Sequence, residues 1–145
     1  MISEIISGIE GVCASELTTF TKSYFYYDLA KINMNKNKYQ YVVTPDNIIE
    51  TKTTNNFISY LQSFSLHLLA NYIQDMNDDI LKRGAVVTLQ EASQKVLKLG
   101  LKNRFGVPAY VITVNDFRID LPGIDTVSKI IYLKTTFDIL YRVSI

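Results

Sequence analysis

The last nineteen residues, Val127 to Ile145, alternate apolar and polar side chains over a length few strands reach. Val127, Ile131, Leu133, Phe137, Ile139, Tyr141, Val143 and Ile145 share one face, interrupted by Lys129 and Thr135. Ser128, Lys134, Thr136, Asp138, Arg142 and Ser144 take the other, with Ile130, Tyr132 and Leu140 among them. This period of two marks a half-buried strand, because successive side chains leave a strand on opposite sides. Ordinary strands run about 5–6 residues, so this one is roughly two to three times too long for a compact sheet. A strand that outruns its own domain bends around a corner or pairs with another chain. That points to assembly rather than catalysis.

A chain of 145 residues is expected to form a single domain over 1–145, burying roughly 68–70% of the surface its unfolded form exposes. Apolar residues make up 48% and charged residues 20%, near globular averages, which argues against disorder and fibrous folds. The longest apolar stretches stop short of the ~18 residues a membrane span needs. Glu4 and Glu10 stand where a signal peptide carries Lys or Arg, so secretion is not expected. Cys13, the single cysteine, allows no internal disulfide and no cysteine metal cage. The expectation is a soluble chain of intracellular origin with no membrane partner.

Net charge is +1, too small to argue for nucleic acid, but its distribution is uneven. Residues 1–81 carry five basic and nine acidic side chains, net −4. Residues 82–104 carry Lys82, Arg83, Lys95, Lys98, Lys102 and Arg104 against Glu91 alone, net +5. Residues 105–145 balance at four and four. The basic segment reads either as a solvated helix face or as one half of a head-to-tail contact between copies.

Ile2, Ile5, Ile6, Ile9, Val12 and Cys13 keep the rhythm of an amphipathic helix. Gly8 and Gly11 weaken that helix by about 1 kcal/mol each relative to Ala, unless they serve close packing. Tyr24 to Ile32 predicts a strand, Asn33 to Lys38 a polar turn, and Tyr39 to Val43 a second short strand ended by Thr44-Pro45-Asp46. A loop is expected within 46–56. Residues 57–73 fit a strand (Ile58, Tyr60, Phe64, Leu66, Leu68 and Ala70 on one face, Ser59, Ser63, Ser65, His67 and Asn71 on the other). They fit a helix through Phe57, Leu61, Phe64, Leu68, Tyr72 and Met76 almost as well, with aromatic content and the Ser-x-Ser spacing favouring a strand slightly. Asp75 to Asp79 supplies a turn and N-cap for a helix from Asp79 to Asn103, which Gly106-Val107-Pro108 stops. A strand follows from Pro108 to Leu121. Its apolar face changes sides at Asn115-Asp116, which calls for a β-bulge. Pro122-Gly123 suits the centre of a type II turn, which leads back into the long final run.

Chemical signatures are sparse. His67 is the single histidine, so a nucleophile–His site would have to use it, and a two-histidine zinc site cannot form within one chain. Asp75, Asn77 and Asp79 open like a calcium loop, but Ile80 and Val86 occupy positions where Gly and Glu belong. No phosphate-cradling glycine motif occurs. Asp116, Asp120 and Asp125 crowd the closing turn region with Arg118 between them. Asp116 sits at the inferred bulge and Asp125 beside the turn, both places that favour Asp, and an assembly role fits the group better than acid–base chemistry. The expectation is no enzyme, no cofactor and no metal.

The segment VITVNDFRIDLPGIDTVSKIIYLKTTFDILYRVSI, together with SYLQSFSLHLLANYIQDMNDD and the helix after it, resembles the tail terminator proteins of tailed bacteriophages. The likeness lies in element order, length and alternation over most of the chain, and is weakest across 33–56. It implies that 57–73 is strand and 79–103 a helix on the sheet. It further implies a homo-oligomeric ring, usually a hexamer, that caps the tail tube and stops its polymerisation. Such a ring docks the head–tail connector protein, and in contractile tails also the tail sheath. DNA passes through it without sequence-specific nucleic-acid recognition. The location implied is the virion neck, after synthesis in the host cytoplasm.

Taken together, the expected fold is α+β, a mainly antiparallel β-sheet packed against an N-terminal helix and one long middle helix, with a long C-terminal β-hairpin. Asp116, Arg118, Asp120 and Asp125 are candidates for one contact edge, and Lys95, Lys98 and Lys102 for a basic face. Two alternatives stay open. One is another neck or baseplate adaptor, a head-closure or tail-completion protein. The other is a small-ligand-binding or enzymatic α+β domain with a pocket that gathers His67 or the 116–125 aspartates.

Overall fold

A computed structural model describes residues 2–23, 39–71, 79–103, 111–125 and 130–145. The expected strand at 24–32, the turns at 33–38 and 75–78, the Gly106-Val107-Pro108 stop and the start of the final run at 127–129 lie outside the described residues. Among the described residues the fold is α+β, with two helices and a mixed sheet. Helix α1 spans Ile2–Glu16, strand β1 Phe20–Lys22, β2 Tyr39–Thr53 and β3 Phe57–Asn71. Helix α2 spans Asp79–Asn103, followed by β4 Val111–Ile119, β5 Gly123–Asp125 and β6 Ile130–Ser144. The sheet runs β1-β2-β3-β6-β4, with β5 also on β6. Only β1 and β2 pair in parallel among the described strands.

The rhythm read at the N-terminus is realised in α1, which buries Ile5, Ile9, Val12 and Cys13. Gly11 lies on its exposed side with open space around it, so this glycine serves no close contact. Strand β3 settles the ambiguous stretch. Phe64, Leu66, Leu68 and Ala70 are buried on one face, with Ser63, Ser65, His67 and Leu69 on the other. One buried cluster joins the α1 residues and Ala85, Leu89, Ala92 and Val96 of α2 to Val43, Phe64, Leu66, Ile131, Leu133, Phe137 and Ile139 of the sheet. Phe64 stands opposite Phe137 at its centre. Thr135, a polar interruption of the apolar face, is fully buried, and its hydroxyl meets that of Ser93 on α2. Each hydroxyl satisfies the other where no water reaches.

Strand β2 corrects the expected loop. Rather than ending at Thr44-Pro45-Asp46, it runs to Thr53, with register shifts between Pro45 and Ile48 and between Ile48 and Glu50. Bulges tolerate the proline that regular pairing rejects, and the next strand, β3, joined through residues 54–56, supplies the ladder. Residues 47–53 are exposed, which is why the segment looks loop-like in composition.

The register of β4 against β6 shifts between Asn115 and Phe117, where the apolar parity changes. The type II turn is not formed. Gly123 lacks the left-handed backbone that such a turn requires at its third position. Instead it opens β5 opposite Tyr132, whose ring lies where a Cβ on Gly123 would stand. The tyrosine ring thus covers a strand glycine from the neighbouring strand.

Candidate functional site

Strand β6 has two ends with different surroundings, and the candidate site residues distribute between them. Near its start, β4 and β5 bring Arg118, Asp120 and Asp125 beside residues 130–136. Arg118 lies opposite Thr136 and reaches Oδ2 of Asp138 at 3.4 Å, with its own side chain 55% exposed. Asp138 is buried and also accepts a 2.6 Å hydrogen bond from Ser63. Arg118 is therefore tied inward. Asp120 is exposed, and its backbone N–H donates to the carbonyl of Lys134 at 2.9 Å. Asp125 lies on β5, half-buried. Asp116 falls within the register shift, and its side chain lies outside the described residues. The same tip exposes Ile119, Leu121, Ile124 and Tyr132, with Leu121 91% exposed.

Lys95 reaches Glu16 of α1 at 3.8 Å and so ties the two helices together. Lys98 is exposed on α2. The side chain of Lys102 lies outside the described residues.

At the far end of β6, strands β2, β3 and β6 form an arm whose Tyr60, Tyr141 and Val143 still lie in or against the main cluster. Ile58 pairs with both Thr53 and Val143 there. Against it lies an open groove of about 480 Å³, lined by Ile2, Ser3, Ile48, Tyr60, Tyr141 and Val143. The Tyr60 and Tyr141 rings pack 5.5 Å apart. Tyr141 donates a 2.7 Å hydrogen bond to Oε1 of Gln62, and burial followed by the neighbouring Tyr60 pushes its hydroxyl pKa up. The phenol therefore stays a donor. Arg142 lies over the Phe57 ring, 5.2 Å from its centroid, a cation–π contact.

The face of β2, β3 and β6 opposite the main cluster holds a polar network. Ser65 donates to Oδ2 of Asp46, and Thr44 donates to Oδ1 of the same carboxylate at 3.3 Å. The Thr44 oxygen lies 3.0 Å from Nε2 of His67. Gln62 donates to the Asp46 carbonyl at 3.2 Å. Thr44 has one hydroxyl proton, and with that proton on Asp46, His67 must hold its own proton on Nε2 and donate. The network pins Asp46, and with it the bulge that directs the β2 arm. Burial, then Lys134, lowers the pKa of His67, and Asp46 opposes them. Cys13 is buried in the main cluster, which pushes its thiol up to about 12.

Sequence reasoning missed both the groove and the Asp46 network. Asp46 and Ile48 sat in an expected loop, and only the β2–β3 register brings them to Ser65 and Tyr60. The groove lining includes neither His67 nor the 116–125 aspartates. Among the described residues no cluster of His, Cys, Asp or Glu is arranged to hold a metal ion, and no helix is long and apolar enough to cross a membrane. No protein-family model matches the chain, and no curated protein does either.

Proposed function

We propose that this chain is a structural protein of a phage neck, a tail terminator that assembles as a homo-oligomeric ring, a hexamer by resemblance. In this reading the sheet carries both helices on one side, and β4, β5 and β6 form a single bent C-terminal hairpin. The ring caps the last ring of tail-tube protein and blocks further addition sterically. Its other side docks the head–tail connector and, in a contractile tail, the sheath. Its place is the virion neck, and its action requires no cofactor and no turnover.

The observation that carries the reading is the gathering of exposed apolar side chains at the two ends of one overlong strand. Leu121 and Ile124 lie at one end, with Ile48 and Ile145 toward the other. A monomer has no use for two such patches, whereas a subunit with neighbours on both sides needs them. The order of elements supports it too, because the resemblance implies strand at 57–73 and helix at 79–103, where β3 and α2 lie.

The test is assembly of the particle's own tail-tube protein with and without this chain. Tubes that stop growing when it is added, each ending in one ring, support the proposal. Tubes that lengthen unchanged contradict it. Within the ring, Lys98→Glu is a cleaner probe of the basic face than reversal of all three lysines, because Lys95 also holds Glu16 of α1.

A second reading, ligand binding or catalysis on the polar sheet face, draws on the Thr44–His67 contact. It calls for a monomer or dimer that binds a small polar ligand, with affinity that follows the titration of His67.

A further inference from the structure

Among the described residues nine large apolar side chains are exposed, and eight of them stand toward the two ends of β6. Ile119, Leu121, Ile124 and Tyr132 lie at the β4–β5 tip, while Ile2, Ile48, Ile49 and Ile145 lie on or beside the arm. Only Val87, on α2, falls elsewhere. The two patches differ in shape. At the tip Leu121 is 91% exposed. The arm borders an open concavity of about 480 Å³, lined by Ile48, Tyr60, Tyr141 and Val143 and by Ile2 and Ser3 of α1.

We propose that the β4–β5 tip of one copy inserts Leu121 into the α1–arm groove of the next copy. This rests on the ring reading and specifies its contact. The chain cannot satisfy itself in this way. Leu121 follows Asp120, which bonds to Lys134, whereas Val143 lies nine positions further along β6. At about 3.4 Å per residue the two are on the order of 30 Å apart. The contact is therefore heterologous: each copy offers a knob at one end and a hole at the other, and a ring forms when the rotation closes.

Charge suits the same pairing. The tip brings the exposed carboxylate of Asp120 beside Leu121. The groove opens on the first turn of α1, the positive end of the helix dipole, and Arg142 is exposed on the arm. Glu4 in that first turn offsets part of the dipole, so apolar burial holds the contact and charge orients it.

The experiment is disulfide trapping in the full chain with Leu121→Cys and Val143→Cys combined, alongside each single variant. Cys13 stays silent because it is buried and its thiol is pushed up to about 12. A disulfide needs Cα atoms within about 7 Å, so a 121–143 bond can form only between copies. Oxidation of the double variant is expected to give a covalent ladder that ends at the ring number, with no ladder from either single variant. Native mass spectrometry of the same samples separates the failures. Rings without a disulfide overturn this contact and leave the ring reading standing, as happens if another protein or a small apolar molecule fills the groove. Chains that cross-link but never close support the contact and contradict the ring. Monomers that never cross-link overturn both. Leu121→Asp, at a position too exposed to disturb folding, is expected to abolish assembly, and unchanged assembly overturns the contact.

Discussion

Ser63 and Asp138 face each other directly across the β3–β6 ladder, and the serine hydroxyl donates a 2.6 Å hydrogen bond to the buried carboxylate. Arg118 approaches the second oxygen from β4 at 3.4 Å with more than half its side chain in water. The two partners of this carboxylate are unequal. Hydrogen bonds to charged groups contribute about 1.5–3 kcal/mol, whereas solvent-exposed ion pairs are worth roughly 0–1 kcal/mol. Ser63→Ala is therefore expected to destabilise the fold more than Arg118→Ala, and urea denaturation of the two variants measures the difference.

His67 gives stability a pH dependence of fixed sign. Burial lowers its folded pKa below the ordinary 6.5, so below that pH the unfolded chain binds the proton first. Stability contributed by the neutral imidazole is full above the unfolded pKa and falls as pH drops toward the folded one. Lys134 strengthens the shift and Asp46 opposes it. Between about pH 7 and pH 5, His67→Gln is expected to flatten the decline in unfolding free energy. Lys134→Met is expected to move the His67 titration upward by NMR.

The hydroxyls of Ser93 and Thr135 satisfy each other at the α2–β6 contact, both fully buried. Ser93→Ala or Thr135→Val alone strands one buried hydroxyl, at a cost of about 1–3 kcal/mol. The double variant removes both and is expected to lose less than the two singles together. A double-mutant cycle by chemical denaturation reads the coupling.

Gly11 sits in the interior of α1, and a methyl group added to its Cα would meet nothing within 4 Å. Gly11→Ala is expected to stabilise the protein by about 0.5–1 kcal/mol, seen as a Tm a few degrees higher. No gain would contradict the open space found around this position.

Elements with strong local periodicity were legible from the chain. The apolar rhythm of α1, the 79–103 helix and the alternation of 130–144 all depend on neighbours in sequence. What depends on distant partners was not. Phe64 and Leu68 suit a helix face as well as a strand face, and β3 is decided by its pairing with β2 and β6 on either side. Pro45 and the polar run after it look like a chain break, yet bulges and the ladder to β3 carry the strand through. Pro122-Gly123 fits a turn locally, but the Tyr132 ring across the strand explains the glycine instead. Of the candidate contact residues, Asp120, Lys98, Arg118 and Lys95 are all exposed, and the last two also have partners, Asp138 and Glu16, that no spacing rule reveals.

Cryo-electron microscopy of purified particles locates the chain. The account predicts one ring of this chain at the head-proximal end of the tail tube, between the last tube ring and the connector. Density for the chain at any other position, or particles that lack it entirely, would contradict the account.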